Sequence, residues 1–544
     1  MKIGIDFDNT IVNYDQVFPI VANKFGFLDE NWKGTKAELK SEILKLPEGD
    51  ICWQKIQGQV YGKFITHAEL FHGLAEFLIF CKLRNVSVYI VSHKTEFGHF
   101  DEEKINLRDA AMHWMNVNGF FDERLFALKP ENVSFWDRRE QKVQRISDLE
   151  CDVFIDDLLE VFEEPHFPQS CSKILFQNKN VSFNPDEKIK SCSSWKRIFE
   201  HLMSPVVEDE YLQLIQDQYP SFGFHSIQTI KGQGNSKVFL VKTAEQSLIL
   251  KSYPDKTFDE RDRLGNEYMA LDYCNNNSLS VPKPILQNKL LNLGLFQHIE
   301  GRKPDLISEK EIEQSLDFIE SLITLSKEKK SVEIPMASEA CLRGSDIERQ
   351  IYLRLEKFRQ ITNQELNEFL KSFEDYFQTL SSHYKEFNVT YNQELGSENR
   401  ILSPSDFGFH NSILSTNGTL YFIDFEYFGW DDPAKLISDF YWHPAMNLSI
   451  KLKSFWLDKS VQLFESDQQL VNRLDYFIPL IGLRWCMILL NEFLSEKLQN
   501  RVFAQLLTGE EVAKKQTSQL IKAKTLFEEV KKFQIQKEKV ISIE

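Results

Sequence analysis

The chain has no C-x-x-C pair, no surplus of positive charge, no internal repeat and no low-complexity tract. Its eight cysteines (52, 81, 151, 171, 192, 274, 341 and 486) are scattered over 544 residues. That excludes a disulfide scaffold and fits reduced, mostly structural thiols inside a cell. Net charge is −17, from 64 Lys+Arg against 81 Asp+Glu. Nucleic-acid and anionic-membrane surfaces draw on the opposite balance, so neither partner is expected. A small phosphorylated ligand stays open, because it needs only a local cluster or a metal. The most apolar stretch, 476–494, carries Arg484 in mid-run and Asn491 near its end. We expect a buried helix there, not a membrane span. No His/Cys/Asp grouping has zinc-ligand spacing. The chain opens MKIGIDFD, running straight into a strand with no leader pattern, so a cytoplasmic location is expected.

What is present is a globular composition, 42% hydrophobic and 27% charged, with 44 Phe spread along the chain as core filling. Residues 1–175 alternate short β-branched runs (KIGIDF, VSVYIVS, CDVFIDD, SKILF) with helical patterns. This predicts an α/β unit with a parallel sheet and crossover helices. A polar, turn-rich stretch (178–195) follows, and from about 222 short strands with Gly-rich turns predict an antiparallel sheet. From about 306 the pattern is mainly helical, interrupted by turns and strands over 399–430. The expected organisation is an α/β domain over 1–200, then an α+β region made of a strand-rich lobe (205–305) and a helical lobe (306–544). The last stretch, from TSQLIKAK onward, reads as an amphipathic helix with a solvated basic face.

In the first domain, DFDNTIV (6–12) follows a hydrophobic strand. Alternation would send Asp6 and Asp8 to opposite faces, so the chain must curl for both to serve one site. A carboxylate attacking phosphorus needs a cation on the phosphate and an acid for the leaving group, roles that Asp6 and Asp8 suit. VSVYIVSHKT ends a strand in Ser92, a phosphate donor, and CDVFIDDLLEV ends one in Asp156-Asp157, acidic residues able to bind magnesium. Lys142 could balance charge there, with Lys129 as the competing lysine upstream. Such groups collect at the carboxyl ends of parallel strands. In the order of these four motifs, residues 1–200 resemble the haloacid-dehalogenase superfamily of phosphotransferases. The resemblance implies a Rossmann-like parallel sheet with a small helical cap over about 15–72. It implies an aspartyl-phosphate on Asp6, acid/base work by Asp8, and Mg²⁺ held by Asp6, the Asp8 backbone carbonyl and Asp156. The second Asp of the first motif favours phosphatase over dehalogenase chemistry.

In the second region, IKGQGNSKVFLVK puts Gly232 and Gly234 in a turn between strands, where backbone N–H groups can approach phosphates; a plain hairpin turn is the alternative. Lys251 stands in the next β-branched run and Glu267 near a helix start, the pairing by which kinases position nucleotide phosphates. The backbone around Gln297–Ile299 would suit an adenine edge, or simply connect two lobes. LSPSDFGFHN (402–411) contains a DFG triplet, yet Asp406 and Asn411 are spaced as in a kinase catalytic loop, and LYFID ends in Asp424. On this register Asp406 is the base, Asn411 and Asp424 hold Mg²⁺, and the DFG is coincidental. With DFE (424–426) and GWDDP (429–433), residues 205–530 resemble the aminoglycoside/choline kinase-like phosphotransferases, which implies a bilobal, protein-kinase-like fold and ATP. One departure is Pro404, which stands where that family has a His that braces the loop. His93 and His410 are read as structural or exposed.

The reading is a bifunctional enzyme, a phosphohydrolase joined to a kinase of a small-molecule hydroxyl. Sugar or polyol phosphates of surface-glycan precursor metabolism are the preferred substrates. A non-catalytic nucleotide-binding module in the second half, or an antibiotic-modifying enzyme, are the alternatives.

Overall fold

The strand KIGI is buried on both faces, as a central parallel strand covered by helices must be. In a computed structural model, described for residues 1–28, 32, 34–100, 103–177, 188–230, 236–254, 261–494 and 509–541, it is the centre of a six-stranded sheet. The strands are β1 (Lys2–Ile5), β2 (Ser87–His93), β3 (Val133–Trp136), β4 (Val153–Asp156), β5 (Ser172–Phe176) and β6 (Ile189–Cys192). All pair in parallel, in the order β3-β2-β1-β4-β5-β6. Ile3 is level with Val88 on one side and Val153 on the other. Gly4 lies so close to Phe154 that a Cβ would stand 2.5 Å from its ring, which requires glycine there. The strand order reverses at β1, so the crevice for a ligand opens beyond the carboxyl ends of β1, β2 and β4.

Between the short paired strands Val12–Asn13 and Glu69–Leu70 lie α1 (Val17–Lys24), α2 (Lys36–Ile43) and α3 (Gly49–Tyr61). They form the small helical insertion expected over 15–72. Thr35 and Glu38 close a capping box that starts α2. The sheet is covered by α4 (Leu74–Leu83), α5 (Leu107–Val117), α6 (Arg139–Asp148), α7 (Leu159–Phe162) and α8 (Trp195–Leu202). Trp195 is fully buried, its indole N–H donating to the Thr10 carbonyl at 3.0 Å, so the segment after β6 is part of this domain.

The chain forms two compact units, residues 1–260 with 288–293, and residues 261–287 with 294–544. The first therefore continues past the parallel sheet. Helix α9 (Glu208–Gln218) packs Tyr211 between Phe80 of α4 and Phe239, while Arg84 pairs with Glu210 at 2.6 Å and donates to the Ser204 carbonyl. Strands β7 (Ser226–Ile230), β8 (Lys237–Lys242) and β9 (Ser247–Ser252) make an antiparallel meander in this unit.

The second unit begins with α10 (Arg263–Asn276) and carries most of the paired strands β10 (Pro284–Asn288) and β11 (Leu293–Gln297). Helices α11 (Glu309–Ser326), α12 (Gly344–Phe358) and α13 (Gln364–Phe387) follow. Then come β12 (Ile401–Ser403), β13 (Ser412–Ser415), β14 (Leu420–Phe422) and β15 (Gly429–Asp431). β12 pairs with β15, and β13 with β14, both antiparallel. The remainder is α14 (Pro433–Trp442), α15 (Ile450–Leu463), α16 (Leu470–Leu489) and α17 (Gly509–Ile541). Among the described residues one helical stretch, Leu470–Phe493, is long and apolar enough to cross a bilayer. Its Arg484 is buried and paired with Asp439 and Glu339, as befits a core helix. All eight cysteines are free thiols.

Candidate active sites

In the first unit, Asp6 follows β1 and Asp156 ends β4, neighbouring strands at the reversal of sheet order. The chain curls after Asp6 as the D-x-D spacing requires. Asn9 takes a left-handed conformation (φ +57°), a region Asn enters more readily than most residues, and the Phe7 carbonyl accepts from both Ile11 and Val12 N–H. Lys142, on α6, donates to Asp6 Oδ1 at 2.5 Å and to Asp156 Oδ2 at 2.6 Å, all three side chains being buried. Asp156 Oδ1 accepts the Leu158 N–H. Asp6, Asp156 and Asp157 offer oxygen atoms within 4.8 Å of one another.

The charges there are not balanced. Burial pushes the Asp6 carboxyl up to about 7 despite Lys142, with Asp156 and Asp8 adding to the rise. Burial, then Asp6 and Asp156, push Asp157 well above its ordinary value. Burial works against the charge of Lys142, but Asp156 and Asp6 more than offset it and hold the ammonium above its ordinary value. One ammonium among three carboxylates leaves an excess of negative charge and of hard oxygen donors, which fits a bound Mg²⁺.

Asp8 points to different partners: the Tyr14 hydroxyl donates to it at 2.6 Å and Lys94 Nζ reaches both its oxygens at 2.8 and 2.7 Å. Lys94 was not among the sequence candidates, although the two-residue step from Ser92 puts both on one face of the same strand end. From α2, Lys36 Nζ reaches Asn9 Oδ1 at 2.9 Å. The hydroxyls of Ser92 and Thr10 are buried and, among the described residues, have no hydrogen-bond partner. His93 turns away to the Asp137 carbonyl.

The sequence candidates of the second region are divided. Gly232 and Gly234 lie outside the described residues. Lys251 is buried in β9 of the first unit, its ammonium 5.4 Å from the Tyr253 ring centre. Glu267 is buried on α10 of the second unit. Gln297 is exposed and closes a backbone and side-chain pairing with Lys283, while Ile299 is buried.

Asp406, Asn411 and Asp424 belong to one loop system in the second unit. Asn411 Nδ2 donates to the Asp406 carbonyl at 3.0 Å and to its Oδ2 at 3.2 Å. The side-chain amide N–H is thus committed, and the side-chain Oδ1 of Asn411 is the atom a cation could use. The Ile423 N–H donates to the Asn411 backbone carbonyl, and Asp424 follows with φ +69°. Asp424 gathers with Glu267 and Glu426, oxygen atoms within 4.8 Å, and Glu426 pairs with Arg263. The sequence motif DFE (424–426) already contained Glu426, though only Asp424 was named from it as a ligand.

The other two residues of the DFG triplet, Phe407 and Gly408, have local roles. Phe407 is core, packed against Phe318, Phe422 and Phe440, and a Cβ on Gly408 (φ +156°) would strike Met446 Sδ at 2.4 Å. In GWDDP, Asp432 caps α14 and pairs with Arg473, and Asp431 pairs with Lys435 at 3.1 Å, so both are scaffold.

Two histidines converge on Asp406 Oδ1: His410 Nε2 at 3.0 Å and His443 Nε2 at 3.4 Å, their rings stacked 3.6 Å apart. Burial opposes the charge of Asp406, but hydrogen bonds from His410 and His443 hold it well below the usual carboxylate range. Burial keeps the His443 imidazole below its ordinary value. His410 was read as structural or exposed and His443 was not among the candidates; nothing in the local pattern WHP links His443 to a loop so far upstream.

Residues 226–448 match the model of the phosphotransferase enzyme family, and that segment is a domain of this class. No curated protein sequence matches the chain. Among solved structures, the choline kinase LicA from Streptococcus pneumoniae is 16% identical, covering 58% of this chain and 98% of its own at a TM-score of 0.40. An ethanolamine kinase from Plasmodium vivax is 16% identical over 62% of this chain and 94% of its own, TM-score 0.40. The spectinomycin phosphotransferase APH(9)-Ia is 12% identical over 58% of this chain and 99% of its own, TM-score 0.39.

Proposed function

We propose that the chain is a bifunctional enzyme: a phosphohydrolase of the haloacid-dehalogenase type in its first 200 residues, and an ATP-dependent kinase of a small-molecule hydroxyl in the remainder. The observation that carries the reading is the pair of acidic clusters, Asp6/Asp156/Asp157 in one unit and Glu267/Asp424/Glu426 in the other, each within one ligand sphere. In both, Mg²⁺ would neutralise phosphate oxygens.

In the first site the residues support nucleophilic attack on phosphorus. Asp6 is the nucleophile, held by Lys142; Ser92 and Thr10, whose hydroxyls lack partners among the described residues, would donate to phosphate oxygens. Asp8 is linked to two proton-bearing groups, Tyr14 and Lys94, a relay suited to protonating the leaving oxygen. In the second site Asp406 receives and orients the acceptor hydroxyl. A carboxylate held so far down takes the proton late, which suits a loose transition state in which positioning matters more than early proton removal. Glu267, in the same unit, lies with the acids that would hold the metal of the nucleotide phosphates. Two opposite phosphate chemistries in one chain make sense on successive intermediates, and we assign the substrates to sugar or polyol phosphates. The free thiols support a reducing, cytoplasmic setting.

The test uses the full chain with p-nitrophenyl phosphate for one site and ADP formation from Mg·ATP for the other. Asp6→Asn should abolish the first activity and spare the second, and Asp406→Asn the reverse. If either substitution leaves its own activity intact, that half of the proposal fails.

A further inference from the structure

The reading of Asp406 as the group that receives the acceptor hydroxyl raises a question about its aim. The χ2 torsion of an aspartate is broad and roughly two-fold, so an unpinned carboxylate turns freely. In the resembling family the brace comes from a His two residues earlier, and here that position is Pro404, which has no side-chain donor.

We infer that His443 is the positioning residue for Asp406, supplying from the end of α14 the brace that Pro404 cannot. The inference rests on the kinase reading above. Three contacts fix the imidazole. The Ala445 N–H donates to its Nδ1 at 3.2 Å, which makes Nδ1 the acceptor and leaves the proton on Nε2. Nε2 then faces Asp406 Oδ1 at 3.4 Å, a longer approach than the 3.0 Å hydrogen bond between His410 Nε2 and the same oxygen. The ring is held edge-to-face against Trp485, centroids 4.4 Å apart, and stacked on His410. Trp485 is itself anchored, its indole N–H on Asp439 Oδ1 at 2.9 Å.

Exposure divides the labour. The His443 and His410 side chains are 11% and 13% exposed, that of Asp406 35%. With Oδ1 taken by the imidazoles, Oδ2 is met among the described residues by Asn411 Nδ2 at 3.2 Å and keeps a lone pair for an incoming hydroxyl. His410 shares the task, but its Nδ1 is buried with no partner among the described residues, and beyond the stack none of them selects its tautomer. His443 is the member whose donor is defined by its surroundings.

The experiment compares His443→Phe, His443→Gln and Asp406→Asn in the full chain. ADP formation from Mg·ATP is followed with water, glycerol, ethanolamine and choline as trial acceptors. Phe keeps the ring against Trp485 and His410 but has no donor; Gln restores an N–H near the place of Nε2. We expect His443→Phe to lower kcat about 10- to 100-fold, the scale of a misaimed catalytic group, while KM for ATP moves less than about twofold. Gln should recover most of the loss. Turnover of His443→Phe equal to the parent, with Asp406→Asn inactive, overturns the inference. So does a fall in kcat, ATP affinity and melting temperature together that Gln does not rescue, since that is a packing role. Unimpaired ADP formation by Asp406→Asn, or none by the parent with any acceptor, overturns the kinase reading instead.

Discussion

The two sites hold their key aspartates by opposite means. Asp6 is buried, bonded to an ammonium and crowded by further carboxylates, while Asp406 is partly open and faced by two imidazole nitrogens and an amide. On the proposed reading, the difference follows from what each carboxylate would be asked to do. A nucleophile must approach an anionic phosphate, so the first site collects cations: Lys142, Lys94, Lys36 and the metal its carboxylates would hold. A group that orients a hydroxyl must not itself attack, so the second site pins its carboxylate with hydrogen bonds and gathers the metal-capable acids Asp424, Glu426 and Glu267 separately.

The largest effect that could break this comparison is crossed loss of activity. Asp6→Asn should lower p-nitrophenyl phosphate hydrolysis by at least about 10³-fold and Asp406→Asn should lower ADP formation by at least about 10²-fold, with the other activity within about twofold in each case. A substitution that depresses both activities would mean the sites are not independent. The next effect is on stability. Lys142→Met leaves Asp6 and Asp156 buried without their ammonium and should cost about 3–5 kcal/mol in denaturant unfolding. Millimolar Mg²⁺ should restore more of this loss than it adds to the parent protein. A cost under about 1 kcal/mol, or no difference in the Mg²⁺ response, would show that the excess of negative charge is not what defines the site.

Much of this arrangement was legible in the residues, for a physical reason. Strand ends announce themselves through β-branched runs, so Asp6, Ser92 and Asp156 could be assigned to one edge of a parallel sheet, and Asp406 with Asn411 to one loop. Residues that act through a neighbour leave no such mark. Lys94 was readable in principle by a two-residue step from Ser92, and Glu426 stood in the DFE motif itself. Lys36 and Tyr14 were not, because a helical insertion brings them to the site by its fold. His443 was the least legible, since only the packing of α14 against the loop and Trp485 carries its ring to Asp406. The turn-rich stretch 178–195 lies inside the expected 1–200 domain, where β6 adds a strand to the first sheet and α8 packs beside it, and Arg84 ties the chain onward through Glu210. Patterns of polarity mark loops, not the contacts made beyond them.

The smallest predicted effect tests the scaffold beneath the second site, where arginines replace the lysines of the first. Glu339 pairs with Arg354 at 3.2 Å and with Arg484, which holds Asp439, which in turn anchors Trp485 against His443. Burial opposes the charge of Glu339, but Arg484 and Arg354 hold its carboxyl down at about 2, against an ordinary value of 4.5. A carboxyl lowered by folding contributes stability that is fully present above its unfolded value and is lost as pH falls toward its folded one. The contribution of Glu339 should therefore be constant from neutral pH to about 4.5 and vanish between there and about 2. Glu339→Gln should melt on the order of 2–4 °C below the parent at pH 7, with the two curves converging as pH drops through that window. The first site gives no such signature, because folding raises the carboxyls of Asp6 and Asp157, which disfavours the folded state as pH rises. If the Glu339→Gln difference were the same at pH 3 as at pH 7, the ion pairs would not be what supports the loop, and the contrast between the two sites would rest on Asp406 alone.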